Sequence, residues 1–190
     1  LDDEELIHEI RKGSRAAMEV LVKRHYHSIF TYVYRKTGDY HTAYDLTQEV
    51  FVKMMKSLGS YRDNGKFSHW LLKIAVNHCM DYFRGRVFKQ QKRESELTEE
   101  ALPASEHQNV WNIFYKRLQN DQVRQAVLRL PDQQRDAVIL NYYNGLKIRE
   151  VAELTGTNES TVKSRIRLGI AKLKEIIVGG ERDETYRKPK

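Results

Sequence analysis

Ser160, Thr161, Lys163, Ser164, Arg165 and Arg167 crowd short hydroxyls and long cations into eight residues near the end of this sequence. Such groups donate to phosphate oxygens and to base edges. On a helix, Ser160, Lys163, Ser164 and Arg167 are spaced three, one and three, so they share one face with Arg165 at its flank. Val162, Ile166, Ile170, Leu173 and Ile177, spaced four, four, three and four, take the opposite face and must turn inward. A second set has the opposite sign. Asp45, Gln48 and Glu49 lie at i, i+3 and i+4, on one side of a helix whose other side carries Leu46 and Val50. An acidic and amide patch on an otherwise basic segment cannot be aimed at DNA, and taken by itself it reads as an ordinary exposed acidic face.

Other chemistry finds little support. His25 and His27, two apart, face different sides of a helix, His78 and Cys79 are neighbours, and His41 and His69 stand alone. No pair has the i, i+4 spacing of a helical zinc site, so neither metal nor other cofactor is expected. There is no phosphate-cradling glycine loop and no nucleophile elbow, and the chain does not read as an enzyme. Cys79 is the single cysteine, which excludes an intramolecular disulfide. The longest stretches without Lys, Arg, Asp or Glu are ten residues, His25 to Tyr34 and Ala137 to Leu146. Both are short of the roughly 18 apolar residues of a membrane span. Acids at Asp2, Asp3, Glu4 and Glu5 stand where a signal peptide has cations. No membrane insertion and a cytoplasmic location are expected.

The elements that must hold these groups are helical throughout. Period-2 alternation is absent, and apolar spacings of three and four recur along all 190 residues. Four helices are expected in the first half. The first carries Leu6, Ile7 and Ile10, and the second runs from Ala17 to about Thr37. The third spans about His41 to Ser57, and the fourth about Phe67 to Arg84. Residues 93 to 107 hold five glutamates, one arginine and Pro103, the composition of a solvated tether. The chain thus divides into a helical domain over 1–92, a flexible linker over 93–120, a second helical domain over 121–178 and a disordered tail over 179–190. The net charge of +7 is uneven: segment 1–92 carries +5 and 121–178 carries +3, whereas 93–120 carries −2. A basic excess on both domains suits an anionic partner such as nucleic acid.

In the second domain, Pro131 can open a helix because the first helical position needs no N–H. Val138, Ile139 and Tyr142 give that helix its apolar face, and Asn144-Gly145 stops it. Ile148, Val151, Ala152 and Leu154 mark a two-turn helix, Thr155-Gly156-Thr157 a tight turn, and Asn158 the N-cap of a third helix. Two helices joined by a short glycine-containing turn form the helix-turn-helix pattern, whose second helix enters the major groove.

The chain resembles the extracytoplasmic-function (ECF) group of sigma-70 RNA polymerase sigma factors over roughly residues 5 to 178. Leu130, Pro131 and Arg135, followed by Thr161, Val162, Lys163, Ser164 and Arg165, match that family's region-4 domain. Ala43-Tyr44-Asp45-Leu46-Thr47-Gln48-Glu49-Val50-Phe51 is similar to the A-E-D-L-x-Q-E-x-F signature of its region 2. Phe67-Ser68-His69-Trp70-Leu71-Leu72-Lys73-Ile74-Ala75-Val76-Asn77 is similar to F-x-x-W-L-x-x-I-A-x-N. The resemblance implies an alternative sigma factor that binds core RNA polymerase and directs initiation at promoters through their −10 and −35 elements.

By the same resemblance, Asp45, Gln48 and Glu49 dock the clamp helices of the largest polymerase subunit. Tyr61, Arg62, Asn64, Lys66 and Asn77 hold an extruded base of the −10 strand, with Arg84 on nearby phosphates. An aromatic, polar and basic loop suits an unstacked base. Trp70, at helical spacing with Ile74, reads as core, while Phe67 fits either role. Ser160, Thr161, Lys163, Ser164, Arg165 and Arg167 face the −35 element. Arg167 and Leu168 replace an aromatic residue and an arginine found in many members, so no relative's −35 preference transfers. An anti-sigma factor is also an implied partner. A conventional helix-turn-helix regulator is the alternative, and it predicts autonomous binding to a two-fold-symmetric duplex site.

Overall fold

Capping and glycine chemistry set several of the helix ends in the computed structural model, which describes residues 1–62, 66–93 and 121–185. Asp2 caps α1 (Asp3–Arg11) by accepting from the Glu5 N–H, and Glu5 reaches back to the Asp2 N–H, each at 2.8 Å. Such reciprocal pairs satisfy two otherwise orphaned donors. Ser14 caps α2 (Arg15–Thr37) and Asp39 caps α3 (Tyr40–Ser57). A 3₁₀ turn at Leu58–Ser60 follows, and then α4 (Phe67–Arg93). Leu6, Leu21, Ile29, Val33, Val50, Met54, Leu71 and Val76 form the buried centre of this half. No helix among the described residues is long and apolar enough to cross a membrane.

The second half begins with α5 (Asp121–Leu128), which was not anticipated from the sequence. Pro131 stands at the cap of α6 (Asp132–Val138), one position ahead of the expected start, and its carbonyl accepts from Gln134 and Arg135. A π-helical turn, Ile139–Tyr143, continues α6. Expected on the apolar face, Tyr142 instead lies 62% exposed. The wider π turn advances each residue by less than the 100° of an α-helix, which carries Tyr142 off the buried stripe. Helices α7 (Ile148–Thr155) and α8 (Glu159–Thr185) complete the chain. Val138, Ile139, Leu140, Val151, Leu154 and Val162 are buried between them. Gly169 lets α8 approach α6 closely, since a Cβ there would stand 2.9 Å from Val138 Cγ2.

Two helices run further than expected. Helix α4 continues to Arg93, past the proposed domain end at 92, and α8 passes through Gly179-Gly180 into the segment read as a disordered tail, ending at Thr185. An interior glycine costs a helix only about 1 kcal/mol relative to alanine, which an established helix can absorb. Most of the proposed linker, 94–120, and the last residues, 186–190, lie outside the described residues.

The halves pack against one another, α2 on α5 and the π turn, and α4 on α7. Gly38 makes the closest approach. It ends α2 with a left-handed φ of +75°, and a Cβ there would meet Leu128 Cδ1 at 2.6 Å. Gly38→Ala should lower stability to urea by about 1–3 kcal/mol, from backbone strain and crowding together. Adding Leu128→Ala should recover the crowding part alone. Equal stabilities of wild type and Gly38→Ala would show that neither constraint operates.

Candidate nucleic-acid and partner interfaces

The helix-turn-helix is built as its sequence suggests. Helix α7 stops at Gly156, left-handed at φ +63°, whose N–H returns to the Ala152 carbonyl. At the start of α7 the Glu150 carboxylate accepts the Lys147 N–H at 2.8 Å. Asn158 then opens α8, its Oδ1 accepting from the Thr161 N–H and the Ser160 hydroxyl, both at 2.7 Å. With Val162 and Leu173 buried and Ile166 and Ile170 half-buried, α8 turns Ser160, Lys163, Ser164 and Arg167 to solvent. Thr161 is half-buried at the cap. Arg165 is also half-buried and donates to Gln133 Oε1 at 2.6 Å, a tie to α6 that the spacing did not reveal. Leu168 is exposed beside Arg167, an apolar group suited to a thymine methyl.

Asp45, Gln48 and Glu49 are all exposed on α3. Tyr44, Val52 and Met55 are exposed on the same side, and with Gln48 they form a stripe spaced four, four and three. The patch is therefore amphipathic, not simply acidic; that stripe was present in the sequence, masked by the acids beside it. Glu49 is also anchored. His78 Nε2 lies 2.7 Å from its Oε2, although off the N–H axis, so the contact is electrostatic and not an aligned hydrogen bond. Lys53 Nζ lies 2.7 Å from the other ring nitrogen, Nδ1. His78 follows Asn77 in α4, so this cluster ties the acidic face of α3 to the helix expected to read DNA.

The remaining residues are less uniformly disposed. Tyr61 is buried, its ring centroid 4.9 Å from Trp70 and 5.5 Å from Phe67, while Arg11 Nη2 donates to its carbonyl at 2.6 Å. Its ring is a core group in this arrangement, contrary to expectation, because three aromatic side chains bury more surface together than apart. Phe67 is buried and Trp70 half-buried, which favours the core reading of both. Arg62, Lys66, Asn77 and Arg84 are exposed, and Arg84 Nη1 stands 3.8 Å from Asp81. Asn64 lies outside the described residues. Asn77 and Arg84, seven apart, share a face of α4 with Lys73, an exposed cation one turn earlier that the family motif leaves unspecified.

Burial, and then the Lys53 ammonium, hold the His78 ring below the ordinary histidine range. The folded chain therefore binds this proton less readily than the unfolded chain. Stability should fall as pH drops from the ordinary histidine pKa to the lowered one, and level off below it. His78→Gln should remove that slope. Urea denaturation of both proteins at intervals across about pH 5 to 8 checks this, and parallel profiles would reject it.

Comparison with known proteins gives these surfaces a family. The family description "Sigma-70 region 2" matches residues 21–88, and "Sigma-70, region 4" matches residues 120–173. The chain is 30% identical over 177 residues to the ECF RNA polymerase sigma-E factor of Escherichia coli, covering 87% of this chain and 89% of that one. It is 28% identical over 180 residues to the ECF RNA polymerase sigma factor SigW of Bacillus subtilis, covering 86% and 90%. In fold it is similar to the sigma factor RpoE of Bartonella quintana, solved with the anti-sigma factor NepR, at a TM-score of 0.66, 19% identity and coverage of 84% and 95%. A similar likeness holds to CnrH in complex with the cytosolic domain of CnrY, at a TM-score of 0.64, 21% identity and coverage of 93% and 97%. Helix-turn-helix, acidic α3 and order of domains thus converge, and the chain belongs to the ECF group of sigma-70 RNA polymerase sigma factors.

Proposed function

We propose that the chain is an alternative sigma factor in which residues 1–92 engage core RNA polymerase and the −10 element while residues 121–178 read the −35 element. The observation that carries this division of labour is the opposition of two exposed faces. Asp45, Gln48 and Glu49 form an acidic face on α3, whereas Lys163, Ser164 and Arg167 form a cationic one on α8. DNA is repelled by the first and attracted by the second. A protein docking at α3 would find carboxylates beside an apolar stripe, an arrangement that suits a basic, amphipathic helical partner. The clamp helices of the largest polymerase subunit take that part in this reading.

Arg62, Lys66, Lys73, Asn77 and Arg84 surround the start and outer face of α4, where cations can track a single strand and an amide can hydrogen-bond a base edge. The role is recruitment and positioning, and no bond is made or broken by the chain. An anti-sigma factor is a further partner in this reading, supported by the complex in which the Bartonella relative was solved.

Run-off transcription with sigma-free core polymerase on host DNA tests the assignment. Wild type should give discrete transcripts, and Asp45→Lys combined with Glu49→Lys should abolish them without unfolding the chain, because both side chains are exposed. Lys163→Ala and Arg167→Ala should each weaken −35 duplex binding, with a contact to phosphate reducing the salt slope by about 1. Absence of transcripts, together with tight autonomous binding to a symmetric duplex, would instead identify a conventional regulator.

A further inference from the structure

Between Ser160 and Lys174 the exposed residues of α8 are serines, lysines, an arginine, an alanine and Leu168. Leu168, 46% exposed, is the large apolar side chain in that set. Its neighbours along the helix lie three and four residues away: Ser164 and Arg165 before it, Ala171 and Lys172 after it. Ser164 and Ala171 are too short to cover it. Arg165 has the length, but its guanidinium is drawn back to α6, where Nη2 donates to Gln133 Oε1 at 2.6 Å. Leu168 is left bare in the middle of a polar, cationic face.

Position matters as much as exposure. Ser160, Ser164 and Ala171 run along the crest of α8, directly away from buried Val162 and Leu173. Arg167 stands on one side of that crest and Leu168 on the other. Small side chains on the crest let the helix backbone come close to the surface it meets. In a major groove, that closeness decides whether a leucine, shorter than an arginine, can reach a base edge. The two flanks then carry different chemistry. Arg167 offers donors, which suit guanine O6 and N7 or a phosphate. Leu168 offers neither donor nor acceptor, and the base edge that gains from it is thymine's, whose C5 methyl projects into the major groove. Against the other bases it would strip water from hydrogen-bonding groups and return nothing.

We propose that Leu168 determines specificity in the −35 element by packing on the C5 methyl of one thymine. The proposal deepens the sigma-factor reading and rests on it. Cations on phosphates attract any duplex, whereas a methyl contact selects a base.

The test removes one methyl at a time. Holoenzyme reconstituted from this chain and core polymerase is bound to a promoter fragment that gives transcripts in the run-off assay. Each −35 thymine, on either strand, is replaced in turn by deoxyuridine, which lacks only the methyl. At one position the wild type should bind about fourfold more weakly, the worth of one buried methyl. Leu168→Ala should already be weak on the unmodified fragment and lose nothing further at that position, so the two changes are non-additive there alone. Leu168→Met, which keeps an apolar group, should restore part of the difference. Circular dichroism should show both variants fully folded, because Leu168 is exposed. Equal binding to thymine and deoxyuridine at every −35 position would overturn the proposal, as would an active −35 element without thymine. A fourfold loss that persists in Leu168→Ala would overturn it as well. No transcripts from the wild type would reject the sigma-factor reading, and this proposal with it.

Discussion

The Lys36 ammonium can exist where it does only because two carboxylates come to it from almost a hundred residues away. An unpaired charge in that position would cost several kcal/mol in forfeited hydration. Closing the molecule therefore requires α6 to arrive in one register, with Asp132 and Asp136 four apart on the face that meets α2. Other features follow from this docking. Gly38, left-handed at φ +75°, lies against the Leu128 side chain, and Arg135 turns to the Lys36 carbonyl while also holding those of Leu128 and Leu130. Burial pushes the Asp136 carboxyl up, against the pull of Lys36, and sends the Cys79 thiol the same way. These are consequences of a charged centre that meets solvent only at Asp132.

A buried ion pair is a poor source of net stability, since desolvation offsets most of the attraction, and an apolar replacement of like volume is often neutral or better. Its contribution is orientation: a wrong register leaves a bare charge, whereas a wrong register in an apolar seam often costs little. That asymmetry suits two helical halves that must find one packed arrangement.

Apart from α5, the helices were legible in the sequence because each is a local pattern. Spacings of three and four announced α2, α3 and α8, Asn158 announced the start of α8, and Gly156 announced the end of α7. The exposed faces at Asp45 and Lys163 followed from the same periodicity. What was hidden lies at longer range or in small energy differences. Lys36 and Asp136 look like ordinary surface charges until folding brings them together, and nothing local distinguishes Asp136 from Asp132. Tyr61 looked available because it stands in a polar loop, and only the proximity of Phe67 and Trp70 buries it. The π turn at Ile139–Tyr143 moves Tyr142 outward by a local change in winding that an apolar count does not register.

Two of the polar clusters among the described residues couple helices of the first half to neighbouring elements, and they differ in exposure. Glu49, His78 and Lys53 couple α3 to α4 at the surface, where Glu49 is 60% exposed and a partner could draw it away. Lys36, Asp132 and Asp136 couple α2 to α6 inside, with the Lys36 side chain at 0% exposure. A protein docking on α3 meets the first cluster directly and leaves the second untouched. A partner that disturbed the second cluster would need different affinities for the packed and separated arrangements of the two halves, which is the thermodynamic condition for any ligand to shift a conformational equilibrium.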